Sequence, residues 1–278
     1  MNIDNSTRLD AHFNSQQPFY DGIYAGESVE IPDTAFDVKD GERIVGCMDE
    51  GTADRVHIAT PGSFILDGEE KAARMLQGKG VGTVTSHPGC AAAKAAMKMS
   101  GKYTNITQKD IDEFAATFSR RLAEKIGAKH EDIPLHRPSN FHIARGAVYD
   151  GSRGAIISDP NKGGMIVGNN FVIPPPMFRI NRKHLGPERA ISAMGLSASI
   201  ATSDHSFAER ISKENPFVVF ALGHPTEKGL SSDALEKELQ DIQFAVDGTR
   251  ATLIEYFGSD IIKIVKLNAP QYTSRHNK

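Results

Sequence analysis

Strand-like and helix-like segments alternate along the first half of this chain, and that alternation predicts an α/β fold with a central, mostly parallel sheet flanked by helices. Three observations carry the prediction. Arg43-Ile-Val-Gly-Cys47 and Val81-Gly-Thr-Val-Thr-Ser86 have the length and β-branched content of buried strands, helical patterns follow each of them, and glycine or proline turns separate the pieces.

The elements follow in order. Val56-His-Ile-Ala59 reads as a second short strand ahead of the Pro61-Gly62 turn. From Asp67 the segment GEEKAARMLQGKG opens with acids, gathers Ala72, Ala73, Met75 and Leu76 on an apolar face and closes at Gly78, which is a helix. After the strand at Val81 to Ser86, His87-Pro-Gly-Cys90 leads into the alanine-rich helix AAAKAAMKM. Thr107 opens an amphipathic helix that runs to about Ile126, with Ile111, Phe114, Ala115, Phe118 and Leu122 at helical spacing.

The second half is less regular. It reads as a strand from His142 to Tyr149, a strand pair at Met165 to Gly168 and Asn170 to Ile173, a helix near 187–201, a strand from Pro216 to Leu222, a long helix near 231–257 and a strand from Asp260 to Leu267. Residues 1–38 lack periodicity and contain Pro18, Gly22, Gly26 and Pro32, so they read as an extended arm packed on the body or on a partner subunit. The expected organisation is that arm followed by a single α/β domain over 39–278, with a core at 39–158 and an extension at 159–278 that enlarges the sheet or caps the cleft. No internal repeat is visible in the sequence.

Composition narrows the function classes. The 278 residues are 39% hydrophobic and 24% charged, as in an ordinary soluble globular protein able to bury a sizeable core. A net charge of -3 without a basic cluster excludes attraction to polyanions, so no nucleic-acid partner is expected. The first residues are polar, unlike a secretory signal, and no run approaches the roughly 18 apolar residues of a membrane span. A cytoplasmic location is therefore expected. In that reducing setting the two cysteines, Cys47 and Cys90, are buried, catalytic or metal-binding and not bridged.

Both cysteines stand at the carboxyl ends of expected strands, where open α/β sheets bind ligands. His87 precedes Cys90 by three residues across a strand-to-helix turn that Pro88 and Gly89 make easy. Two thiolates and one imidazole form a soft three-ligand set that suits tetrahedral zinc with a fourth position for water. A thiolate at Cys90 is also favoured by the helix N-terminus that follows it. Asp49, two residues past Cys47, reaches the same space, either to accept a hydrogen bond there or to occupy the fourth position itself.

Cys47-Met-Asp49, followed some forty residues later by Ser86-His-Pro-Gly-Cys90-Ala-Ala92, resembles the C-x-D…H-x-x-C signature of β-class carbonic anhydrases and their zeta-class and carbon disulfide hydrolase relatives. The likeness covers residues 42 to 100 and extends to the strand and turn at Ala147 to Gly151. It implies a β-carbonic-anhydrase-like core with Cys47, His87 and Cys90 on zinc, and Asp49 in a catalytic Asp-Arg pair. It also implies hydration of carbon dioxide to bicarbonate by metal-bound hydroxide, in a homodimer or higher homo-oligomer whose arm crosses to its partner.

Two positions depart from the pattern: Gly51 replaces the arginine of C-x-D-x-R, and Ala91 replaces a glycine. Arg55 is the candidate to pair with Asp49 in place of that arginine, and His57 is a candidate for proton transfer. The alternatives are a related hydrolase of carbon disulfide or carbonyl sulfide, and a non-catalytic zinc-binding protein whose site Asp49 closes. Other features carry less. The glycines at 78–82 precede a strand and do not open a helix as a nucleotide loop would. Arg137, Arg145 and Arg153 read as a solvated face or a subunit contact, and Asp204, His205 and His224 as scattered surface residues.

Overall fold

The structure is a computed structural model that describes residues 3–24, 29–30, 41, 43–52, 56, 58–135, 137, 141–151, 165–167, 170–172, 176–223, 231, 233–240 and 261–268. Its strands form two four-stranded sheets, each parallel throughout, and a small antiparallel one. The α/β class expected from the alternation holds, but one central sheet becomes two.

The first parallel sheet contains β2 (Arg43–Cys47), β3 (Ile58–Thr60), β4 (Val81–Ser86) and β5 (Lys129–Asp132), in the order β3-β2-β4-β5. Its crossovers are α2 (Glu69–Leu76), which follows a 3-10 turn at Pro61–Phe64, and the pair α3 (Ala91–Met99) and α4 (Gln108–Ile126). Parallel neighbours require such crossovers, and α4 packs on β4 and β5. Val45, Ile58 and Val84 are fully buried, as are Ala72 on α2 and Leu122 on α4. Thr107 caps α4 in a reciprocal arrangement with Asp110, and Gly127, in the left-handed region at φ 71°, ends it.

The second sheet contains β6 (Gly146–Asp150), β9 (Phe178–Ile180), β10 (Phe217–Gly223) and β11 (Ile262–Asn268), in the order β11-β10-β6-β9. Helices α5 (Arg182–Leu185), α6 (Pro187–Ala201) and α7 (233–240) belong to this half. The remaining strands, β1 (Val29–Glu30), β7 (Met165–Val167) and β8 (Asn170–Val172), pair antiparallel as β1-β7-β8. The C-terminal half thus builds its own sheet in place of enlarging the first. Because β6 belongs to it, the change of sheet falls between Asp132 and Gly146, ahead of residue 158.

The N-terminus differs from expectation. Ile3–Tyr24 is a 22-residue helix, α1, with Pro18 inside it, and not an extended arm. Its buried stripe of Leu9, Phe13, Gln16 and Tyr20 has helical spacing. A polar Gln16 in the stripe, followed by Pro18 and Gly22, masks that spacing. The helix packs on its own chain: Gln16 Nε2 donates to the Ile143 carbonyl at 2.7 Å, and Phe13 stacks edge-on to Phe207. Strands β5 and β9 also escape the reading, β5 because Lys129-His-Glu-Asp132 is a polar edge and β9 because Phe178-Arg-Ile180 buries a charged Arg179 at its centre. Among the described residues no helix is long and apolar enough to cross a membrane.

Candidate metal centre

Strands β2 and β4 are hydrogen-bonded neighbours, with Val45 opposite Val84. Their carboxyl ends therefore open side by side. Cys47 is the last residue of β2, and β4 ends at Ser86, so His87 follows directly and Cys90 becomes the N-cap of α3. This brings one ligand atom from each of Cys47, His87 and Cys90 within 4.8 Å of the others, all three residues buried. The three positions drawn from the sequence thus converge on one point, and together they can hold a metal ion.

The polar bookkeeping around His87 agrees with a ligand role. Its Nδ1 lies 2.8 Å from the Pro88 carbonyl, whereas its buried Nε2 has no nitrogen or oxygen partner among the described residues and is left to the cysteine sulfurs. A buried imidazole nitrogen without a partner is costly unless something else occupies its lone pair. The neighbouring turn is shaped to the sulfurs: Gly62 N donates to Cys47 Sγ at 3.3 Å, and a side chain at Gly62 would come within 3.2 Å of Cys90 Sγ. Gly62 has φ 56°, and Ser63 and Phe64 also have positive φ, so the chain accepts backbone strain to run this close.

Without metal the three groups share protons. A hydrogen bond from Cys90 and the positive His87 hold the Cys47 thiol well below its ordinary value against the opposing effect of burial. Donating that hydrogen bond, together with burial, pushes Cys90 well above its ordinary value. Burial works to lower the pKa of His87, but the Cys47 thiolate and the Asp49 carboxylate outweigh it and raise that pKa to about 9. Without metal, Cys47 is thus the more readily ionised thiol of the pair, Cys90 the less readily ionised one, and His87 the group most inclined to keep its proton.

Asp49 is buried beside this group, and its partner is Arg137. Arg137 Nε donates to Asp49 Oδ1 and Arg137 Nη2 to Oδ2, both at 2.8 Å, while Gly51 N donates to Oδ1 at 2.9 Å. This bidentate clamp fixes the plane of the carboxylate. Although burial works to raise its pKa, Arg137 holds Asp49 at about 2. Among the described residues Arg137 engages both carboxylate oxygens; Arg55, expected in this role, lies outside the described residues, as does His57. Gly51 accounts for the change, since a side chain there would meet Arg137 Cγ at 2.8 Å and Leu135 Cδ2 at 3.0 Å. The position that holds the arginine in the resembled pattern is here the space through which a distant arginine enters.

Sequence reasoning also missed two groups behind Asp49. Glu50 accepts from Ile143 N and from His142 Nδ1, both at 3.0 Å, and pairs with Arg137 Nε at 3.4 Å. Asp49, Glu50 and His142 form a second acidic cluster with ligand atoms within 4.8 Å of one another, already compensated by Arg137. The acid next to Asp49 was a signal in the sequence; His142 and Arg137 lie some ninety residues away and carried none. Asp204 and His205 are exposed in the turn after α6, and His224 and Arg153 lie outside the described residues. No family model, curated protein or solved structure matches the chain.

Proposed function

We propose that this protein is a zinc-dependent hydratase that converts carbon dioxide to bicarbonate, similar in its site to β-class carbonic anhydrases. The observation that carries the reading is the convergence of buried Cys47, His87 and Cys90, with His87 Nε2 lacking a nitrogen or oxygen partner among the described residues, beside an Asp49 clamped by an arginine. Cys47, His87 and Cys90 would hold the ion. Two thiolates and an imidazole favour zinc over harder ions, and three protein donors match the donor count of catalytic and not of closed structural zinc sites. When bound, the ion supplies a Lewis acid that makes water nucleophilic near neutral pH.

The chain's own residues supply the rest. Asp49 stays ionised, so it is an acceptor only and orients the hydrogen of a hydroxyl group toward itself. Arg137 keeps both carboxylate oxygens engaged, which supports an Asp49 that faces a reactant and argues against one that closes the metal shell. Glu50, buried beside Asp49, also pairs with Arg137 and holds His142 at 3.0 Å.

Metal analysis of the purified protein, followed by stopped-flow hydration of carbon dioxide, tests the reading. Zinc-loaded protein is expected to turn over; Cys47→Ser is expected to lose stoichiometric metal, and Asp49→Ala to keep the metal and lose hydration about 10- to 100-fold. Stoichiometric metal in Cys47→Ser would overturn the ligand assignment. A fully loaded protein without hydration but with hydrolysis of carbon disulfide or carbonyl sulfide would move the reaction to those substrates.

A further inference from the structure

The two parallel sheets have the same topology. In the first, the leading strand β2 lies inside, the next strand β3 takes one edge, and crossovers carry the chain to β4 on the other side of β2 and then to β5 at the far edge. In the second, β6 leads, β9 takes one edge, and the chain crosses to β10 and then to β11. The intervening helices correspond as well: α2 and α6 join the second strand to the third, and helices α4 and α7 lie between the third and the fourth. The β7-β8 pair is an insertion between β6 and β9. Connection rules favour right-handed crossovers but do not impose this strand order twice.

Register aligns the halves residue by residue. The last ladder pair of the outer strands is Ser86 with Asp132 in the first sheet and Gly223 with Asn268 in the second. Each third strand is then followed by His-Pro: His87-Pro88 and His224-Pro225. Val84 faces Val45, which sets Ser86 level with Cys47; Leu222 faces Asp150, which sets Gly223 level with Gly151. Gly151 is thus the counterpart of Cys47. In sequence, Glu227 of His224-Pro-Thr-Glu227 corresponds to Cys90 of His87-Pro-Gly-Cys90.

We infer that the C-terminal half is a copy of the N-terminal half that has lost its metal centre and serves as a built-in partner, so that the chain binds one metal ion and not two. The place of the missing thiolate is filled. A side chain at Gly151 would meet Leu235 Cδ1 at 2.5 Å, and Leu235, on α7, is fully buried. One turn along α7, Glu238 accepts from Tyr149 Oη at 2.7 Å and from Arg182 Nε and Nη2 at 3.0 and 2.8 Å, closing that strand end with a neutralised ion pair.

The edges that bear the two second strands face each other within the chain. Ala59 N, on β3, donates to Asn181 Oδ1, next to β9. Arg179 N donates to the Met48 carbonyl at 3.2 Å, and Arg179 Nη1 donates to the Val56 carbonyl. The second unit thereby grips the segment between Cys47 and β3 that carries Asp49.

The stoichiometry rests on the metal reading above, whereas the duplication does not. Titration of the full chain with cobalt(II), followed by the thiolate-to-cobalt absorption, is expected to saturate at one equivalent, and the Cys47→Ser/Cys90→Ser variant to bind none. Two equivalents in the wild type, or one retained by the double variant, overturns the inference. No uptake by the wild type refutes the metal centre instead. Thermal unfolding of the metal-free chain then decides the built-in partner: one cooperative transition reported alike by probes in both units supports it, and two separate transitions overturn it.

Discussion

At the scale of single residues, the chemistry of the site depends on who holds which proton. With the Cys47 thiol held well below its ordinary value, His87 raised to about 9 and Cys90 raised well above its ordinary value, the protons that a metal ion displaces at pH 7 come chiefly from His87 and Cys90. Zinc uptake is therefore expected to release about two protons near pH 7. Affinity rises with pH, and its slope falls by one proton once His87 loses its charge above about 9. Calorimetry in buffers of different ionisation enthalpy measures the count. Release of fewer than one proton would mean that the coupling among the three groups is not as the geometry has it.

Arg137 is the residue on which the orientation of Asp49 depends. Both side chains are nearly buried, at 4% and 6% exposure, so removing one partner leaves the other charge without compensation. Arg137→Gln is expected to retain zinc and to lower hydration about 10- to 100-fold, the usual effect of losing an outer partner that orients a site. It also costs stability, about 3 to 5 kcal/mol for a broken buried pair, measured by urea unfolding. Unchanged hydration in a zinc-loaded Arg137→Gln protein would remove the clamp from the mechanism.

At the scale of elements, the site depends on where strands end and helices begin. Helix α3 starts at Cys90 without a side-chain cap, so the thiol itself stands where a capping hydroxyl would. Gly89 N donates to Asp112 Oδ1 at 2.7 Å, which ties that turn to the first half of α4. Helix α4 is in turn fixed by its Thr107–Asp110 cap. Thr107→Ala is expected to cost about 1 kcal/mol, the usual effect of losing such a cap, and to leave zinc content unchanged. Chemical denaturation alongside metal analysis checks both halves of that statement.

Across the whole molecule, α1 and the second unit enclose a charge that composition gave no reason to place inside. Arg145 is fully buried with its guanidinium 3.8 Å from the Phe13 ring centre and 4.5 Å from that of Tyr20, and Nη1 donates to Gln17 Oε1 at 2.8 Å. It pins α1 across the start of β6. Arg145→Ala is expected to lower global stability by about 2 kcal/mol or more, since desolvated cation-π contacts are worth that much, and to expose α1 to proteolysis. Resistance of α1 to limited trypsin digestion in that variant would show that its apolar stripe holds it without Arg145.

What the sequence determined by itself is local. The strands at Val81–Ser86 and Arg43–Cys47, the helices at Ala91–Met99 and Pro187–Ala201, and the placing of Cys47, His87 and Cys90 at strand ends all follow from side-chain period and turn residues within a few positions. Those three candidate ligands were legible because the chain has only two cysteines and both follow strands. Tertiary structure alone decided the rest: that Arg137 reaches Asp49 through the space left by Gly51, that Arg145 is buried beneath α1, and that the second half repeats the strand order of the first. The physical reason is common to all three. An ion pair across 88 residues, a cation under an aromatic stripe and a strand order are long-range facts set by which surfaces pack together, and no local period encodes them.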